Sequence, residues 1–363
     1  MRRKIAIVCL ALVVVVGALL IACAKPAPTP APSPTPAPTP TPTPSPTPRP
    51  LHWKFAVLYP RGTSFDAIYE QLGADVERMS GGRLKIEVMY SGEGVEAPQM
   101  LDACASGLIQ MAQPYPALHA GVIPAGVIEL GLPGGPMRAS EIGALFEVKG
   151  WKKVLRECYA EHNVYWLASG YGPGTYLLTK KPINTLDDLK KMKIRAPGAY
   201  GEMLSNLGAS TVTMAFGEVY TALATGVIDG VDGCNLIDHR DGRFYEVAKY
   251  LYPLPLTASQ NAPYIVNLDA WKGLPDDLKA ILERAAARNG LLYLYNCTVW
   301  EKQALGEMLN AGLKYSPTPS ASDEAKWREA GMKTWDTYAA KDAYCAELIK
   351  IEREFMKELG YIK

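Results

Sequence analysis

Thirteen of the chain's 29 prolines fall within the 27 residues 24–50, where they alternate with Thr, Ala and Ser. Neither helix nor sheet tolerates that spacing, because each proline fixes φ and removes a backbone donor. Apart from its prolines the tract holds no apolar residue larger than alanine, so it has nothing with which to form a core. It reads as an extended tether of polyproline II type, about 3.1 Å per residue and on the order of 80 Å when fully drawn out. The tract divides the 363-residue chain into a leader (1–23), a tether (24–50) and 313 residues (51–363) left to fold. A body of that length exceeds one ordinary core and predicts two lobes of about 150 residues each.

The leader starts Met1-Arg-Arg-Lys4 and continues as an apolar run over 5–22, a basic segment followed by a hydrophobic one. The run ends Leu20-Ile21-Ala22-Cys23, which resembles a bacterial lipoprotein signal. That resemblance implies a cut after Ala22 and a lipid on the Cys23 thiol. As an uncleaved anchor helix the same run would also hold the body outside the cytoplasm. The expected location is therefore extracytoplasmic, lipid-anchored to the cell membrane on its periplasmic side or outer surface. Removing the leader takes away Arg2, Arg3 and Lys4, leaving 35 basic against 37 acidic residues. Such a balance excludes a nucleic-acid partner held by a basic field, and any bound anion needs a local site. Beyond Cys9 and Cys23, the thiols Cys104, Cys158, Cys234, Cys297 and Cys345 are odd in number and widely spaced. They form no disulfide framework or metal pattern and read as small buried apolar groups.

In the body, 53–59 reads as a strand, Ser64 as the cap of a helix to about residue 80, and 84–90 as a second strand. A helix around 98–106 leads to a strand at 109–112. A second run of the same order starts near Tyr176: a capped short helix at 185–189, strands at 192–195, 211–214 and 227–231, and helices at 198–207 and 216–225. Strand–helix alternation in both runs predicts α/β layers with largely parallel sheets. From Pro275, a helix-like stretch continues to about residue 311, broken mildly by Gly290. At about 1.5 Å per residue it would reach roughly 50 Å, long enough to underlie both lobes. Residues 322–359 are mostly helical and moderately charged.

No catalytic set emerges. The four histidines (His52, His119, His162, His239) are scattered, and no HExxH, G-x-S-x-G, P-loop or strand-borne G-x-G-x-x-G is present. What stands out is Lys-Ile-Arg-Ala-Pro-Gly over 193–198, preceded by Leu-Asp-Asp-Leu over 186–189 and followed by the run from Phe216 to Gly230. With Met-Leu-Asp-Ala over 100–103 and Gly-Leu-Ile-Gln-Met over 107–111, these closely resemble the substrate-binding proteins of tripartite ATP-independent periplasmic (TRAP) transporters, of the dicarboxylate-receptor type. The resemblance covers essentially all of 51–363. It implies a two-lobed periplasmic-binding-protein-like fold (type II-like), each lobe a mixed sheet flanked by helices, with a long helix spanning both. Lobe I would comprise 51–172 plus about 261–300, and lobe II 173–260 plus about 301–363.

In that family the Arg of the K-x-R-x-P motif, here Arg195, pairs with the solute carboxylate. Independently of the family, a guanidinium at a strand end grips a carboxylate bidentately, and the helix opening at Gly198 offers free N–H groups to an anion. The strand ending at Val231 delivers Asp232 to Asn235 to the carboxyl end of the sheet, the usual place for ligands. The resemblance places Asn235 on the solute, as in sialic-acid- and dicarboxylate-type members. In 2-oxoacid-type members a Glu-Trp pair matches Asp232 and Gly233, and the Glu holds a bridging cation. Asp232 retains a carboxylate for such a calcium or sodium ion, with Asp238 nearby, while Gly233 loses the aromatic wall. Gly174 and Thr175 carry neither the Gln of the cation type nor the second Arg of the sialic-acid type. Tyr115, Tyr171, Tyr176 and Tyr200 are candidate aromatic walls, and Glu93 and Glu96 candidate partners for a solute amine or hydroxyl.

The sequence thus reads as a non-enzymatic, extracytoplasmic receptor that captures a small organic acid and delivers it to the membrane subunits of a TRAP permease. It is expected to act as a monomer or dimer, without a required cofactor. A receptor feeding a sensor kinase is the alternative, and an exported hydrolase a more distant one.

Overall fold

The computed structural model describes residues 49–214 and 216–363. The leader, Cys23 and the tether to residue 48 lie outside the described residues. The body begins at once with β1 (Leu51–Val57), which pairs in parallel with β2 (Leu84–Met89) and β3 (Met111–Gln113). The helix Asp66–Met79 connects β1 and β2, burying Ile68, Leu72 and Val76 at helical spacing. Ser64 does not cap it. Asp66 instead accepts from the N–H groups of Gly62 (2.8 Å) and Thr63 (3.3 Å), closing the turn from inside the helix.

After β4 (Val164–Ala168) the chain crosses to a second sheet built from β5 (Thr175–Thr179), β6 (Lys193–Arg195), β7 (Ser210–Val212), β8 (Gly230–Val231) and β9 (Tyr250–Thr257). It then returns with β10 (Tyr264–Asn267) to the first sheet, and β11 (Lys314–Tyr315) closes the second. The sheet orders are β2-β1-β3-β10-β4 and β11-β9-β5-β8-β6-β7. Both sheets are mixed and not largely parallel. β10 runs antiparallel to β3 and β4, and β5 antiparallel to β8 and β9. Each is the strand that enters a sheet from the crossover, so it arrives from the opposite end to the βαβ strands. Along β10, Tyr264 and Val266 face one core and Ile265 the other, so the first sheet is covered on both faces.

The two crossovers run side by side. The Gly172 N–H donates to the Gln260 carbonyl (2.7 Å), the Gln260 N–H to Pro173 (3.1 Å) and the Ala262 N–H to Gly170 (2.8 Å). At Gly174 a Cβ would lie 2.6 Å from the Thr257 carbonyl oxygen, so only glycine permits this approach.

The long helix Asp276–Asn310 has 35 residues, about 52 Å. Leu278, Leu282, Ala286 and Cys297 join the first sheet's core, whereas Met308 joins a core of the second. Gly290 does not interrupt it. A Cβ there would sit 2.1 Å from the Ser169 carbonyl oxygen, so the glycine lets the helix pass directly beneath the crossover.

The C-terminal helices connect the two lobes again. On Ala321–Ala339, Trp327 and Ala330 pack into the second lobe, while Trp335 packs into the first and donates to the Pro133 carbonyl (2.8 Å). The last helix, Ala343–Glu358, buries Cys345, Leu348 and Met356 in the first lobe's core, where Trp151 donates to the Leu348 carbonyl (2.9 Å). The expected placement of 301–363 wholly in lobe II therefore does not describe this helix. All five described thiols are free and buried.

Candidate functional site

Arg195 is the last residue of β6, where the pairing to β7 and β8 ends. Its guanidinium is half-buried and held by carbonyls. Nε and Nη2 both donate to Met214 O (3.3 Å each), and Nη1 donates to Asp232 O (3.0 Å). Among the described residues it makes no ion pair. Three of five N–H groups thus reach carbonyls, Nη1 also approaches Cys234 Sγ (3.9 Å), and the nearby carboxyls of Asp232 and Asp238 act on the charge only through space.

The loop after β8 wraps this guanidinium. Gly233 adopts φ +79°, and a Cβ there would meet Pro197 Cδ at 2.6 Å and Arg195 Nη1 at 3.3 Å. The residue that sequence comparison within the family reads as a lost aromatic is therefore a packing requirement of this chain. Asp232 is fully buried, and neither carboxylate oxygen has a hydrogen-bond partner among the described residues. Burial pushes its pKa up to about 7, against the downward pull of the Gly233 N–H and of Arg195. Thr175 is also fully buried with an unpartnered hydroxyl.

Asn235 caps the helix Leu236–Asp241. Its Oδ1 accepts from the Asp238 N–H (2.9 Å), and Asp238 Oδ2 accepts from the Asn235 N–H (3.2 Å). The cap occupies the amide oxygen and fixes the side chain, leaving Nδ2 as the donor available to a solute. Asp238 is itself pushed up to about 6, chiefly by burial.

From the first lobe, Tyr115 follows β3, and its hydroxyl accepts from Gln260 Nε2 (3.2 Å). The same amide reaches the Tyr200 hydroxyl (3.5 Å), which donates to the Gly131 carbonyl (3.0 Å). Burial raises the Tyr115 phenol, with Cys234, Asp238 and Arg195 all within electrostatic reach, which brings this first-lobe residue close to the Arg195 site. Tyr59, stacked on Phe65 (4.0 Å), is also raised, first by burial and next by Asp238.

The other candidates go elsewhere. Tyr171 packs edge-on to Phe146 (6.1 Å) inside the first lobe's core. Tyr176 packs against a core of the second lobe, and its carbonyl meets His239 Nε2 (2.8 Å). Glu93 pairs with Arg61 (2.8 Å) and accepts from the Tyr90 N–H (3.1 Å), bracing its own loop; Glu96 is exposed. Gln260 belongs to the site but carried no motif. Gln260 was visible only as part of the second crossover, whose course depends on non-local pairing. Among the described residues no group of three or more His, Cys, Asp or Glu is arranged to hold a metal.

Two α/β lobes, paired crossovers and a guanidinium held by carbonyls without a direct ion pair define a solute-binding receptor of the periplasmic-binding-protein class. The chain belongs to the bacterial extracellular solute-binding protein family 7, whose profile matches residues 56–342. It is 26% identical over 312 residues, 85% of each chain, to a monocarboxylate 2-oxoacid-binding periplasmic protein of Nostoc. It is 28% identical over 291 residues, 76% of this chain and 81% of the relative, to the C4-dicarboxylate-binding periplasmic protein DctP of Rhodobacter capsulatus. Among solved structures, a TRAP periplasmic solute-binding protein of Colwellia psychrerythraea with bound calcium and pyruvate superimposes with a TM-score of 0.73. The match covers 86% of this chain and 96% of that one at 25% identity. Family membership makes the chain a transport receptor and not an enzyme.

Proposed function

We infer that this protein is the extracytoplasmic solute receptor of a TRAP transporter and that it takes up a small organic acid by its carboxylate at Arg195. The observation that carries the residue assignment is the guanidinium itself, fixed by the Met214 and Asp232 carbonyls yet in direct contact with no carboxylate among the described residues. A solute carboxylate supplies the direct ion pair. The Asn235 amide and the Tyr115 hydroxyl lie on opposite sides of the gap, so both contact the solute only when the lobes close on it. The closed complex is then what the permease subunits recognise. A thermal-shift screen of monocarboxylates, 2-oxoacids, dicarboxylates and sugar acids tests this: stabilisation by at least one class is expected, and none by any class would contradict it.

A bridging cation is a second reading, favoured by the two orphaned oxygens of buried Asp232. Calcium wants about six to eight oxygen ligands, and this site offers one carboxylate and the Thr175 hydroxyl, so a cation would bind only together with the solute's own oxygens.

Membrane attachment through lipid on Cys23, with residues 24–50 as the stalk, completes the proposal. Its support is the basic start, apolar run and Cys23 box standing in register. Among the described residues no helix is long and apolar enough to cross a membrane. Replacing Cys23 with Ser should move the protein from the membrane to the soluble fraction; retention in the membrane would contradict the lipid anchor.

A further inference from the structure

Beside the Arg195 site lies a cavity of about 450 Å³. Its walls come from both lobes. Val127 and Leu130 of the helix Ala125–Gly131, with Pro124 and Ala117, form the first-lobe side; Pro197 and Ala199 form the other. The room comes from small residues, and among the described residues Lys341 at its edge is the only charged group of the lining. Leu118, half exposed at the rim, keeps the opening apolar too.

The cavity and the Arg195 site share a partition. Tyr115 and Tyr200 line the cavity, their hydroxyls are joined by Gln260, and Arg195 lies within electrostatic reach of Tyr115 and Asp232 of Tyr200. Pro197 lines it as well, and its ring packs over Gly233 beside the Arg195 guanidinium. A solute held by its carboxylate therefore meets, directly past the tyrosine pair, an apolar space of the size that holds small-molecule ligands, about 300–1,000 Å³. A three- or four-carbon polar acid leaves that space without contact.

We propose that this cavity receives the apolar body of the solute, so that the receptor prefers organic acids carrying an aliphatic or aromatic tail to short polar ones. This rests on the carboxylate reading of Arg195 and narrows it. The partition must part to admit the tail. Parting gives up the Gln260 bonds to Tyr115 (3.2 Å) and Tyr200 (3.5 Å), the second already at the long limit, and the apolar area the tail buries offsets that loss.

The test is calorimetric titration of the full-length chain with 2-oxobutanoate, 2-oxohexanoate, 2-oxooctanoate and phenylpyruvate, with malonate as the polar comparison. Affinity should rise by about fourfold for each methylene buried, until the cavity is filled. Gly121 lines the cavity with no atom within 4 Å of a would-be Cβ and no left-handed φ, so Gly121→Trp fills the space without backbone strain. That variant should lose the gain with tail length yet bind 2-oxobutanoate as before. Should Gly121→Trp melt early, the exposed rim variant Leu118→Asp should reduce the same gain. Affinity independent of tail length, or a gain that survives both variants, overturns the cavity assignment while leaving the carboxylate reading intact. Failure of every acid to bind overturns both.

Discussion

At the residue scale, Asp232 makes the site sensitive to pH. Its pKa, raised by burial from 3.8 to about 7, means that it is charged at pH 8 and mostly neutral at pH 6. Beside Arg195, a charged Asp232 competes with the solute carboxylate for the guanidinium's field. Without a cation, affinity should therefore increase about three- to tenfold from pH 8 to pH 6, measured by calorimetry at fixed ionic strength. With a bridging calcium the sign reverses, because the ion needs Asp232 ionised; a calcium-dependent affinity that falls toward pH 6 would establish the second reading. Gly233 shows where sequence reasoning stopped. Its φ of +79° and the contact with Pro197 are invisible in a string of letters, so it read as an absent aromatic. Gly233→Ala should cost about 1–2 kcal/mol from the left-handed backbone alone, seen as a lowered denaturation midpoint. Arg195 was legible because its motif is local; Gln260 was not, because it reaches the site through chain pairing.

At the element scale, the strands and helices that the sequence predicts fall within a few residues of their places, since apolar periodicity and Gly or Pro punctuation are local signals. Strand direction is not local. β5 and β10 each follow a crossover, and nothing in Thr175–Thr179 or Tyr264–Asn267 announces that they run against their neighbours. The long helix offers a test of how tightly the elements are interlocked. Ala is a better helix former than Gly by about 1 kcal/mol, so Gly290→Ala should stabilise an isolated helix. Here the added Cβ would lie 2.1 Å from the Ser169 carbonyl oxygen. The variant is expected to be less stable than the parent by about 1–3 kcal/mol. A raised melting temperature would mean that the crossover does not press on the helix.

At the scale of the whole molecule, the two lobes are joined by paired crossovers, one long helix and the C-terminal pair, and Glu129 sits close to that junction. Its carboxyl is fully buried and accepts from the Tyr159 hydroxyl, Trp166 Nε1 (2.8 Å) and Asn261 Nδ2 (3.3 Å), the last on a crossover. Burial raises its pKa from 4.5 to about 7 despite these donors. The folded state therefore binds the proton more tightly. The associated stability is complete below about pH 4.5 and is lost as pH rises through about 7, by up to about 3 kcal/mol. Glu129→Gln should flatten the decline in melting temperature between pH 5 and pH 8; an unchanged slope would place the effect on other buried carboxyls such as Glu352, pushed up to about 8. The division into two lobes was legible from length and from the repeated element order. The return of the last helix to the first lobe was not, because its apolar stripe suits either core.

The central claim is that Arg195 holds the solute. Titration calorimetry of Arg195→Ala against the acid that most stabilises the parent tests it most directly. The variant should keep its melting temperature to within a few degrees, since the side chain bonds only two carbonyls and the Cys234 sulfur and makes no ion pair, and should lose about 2–5 kcal/mol of binding free energy. An affinity equal to that of the parent would contradict the account.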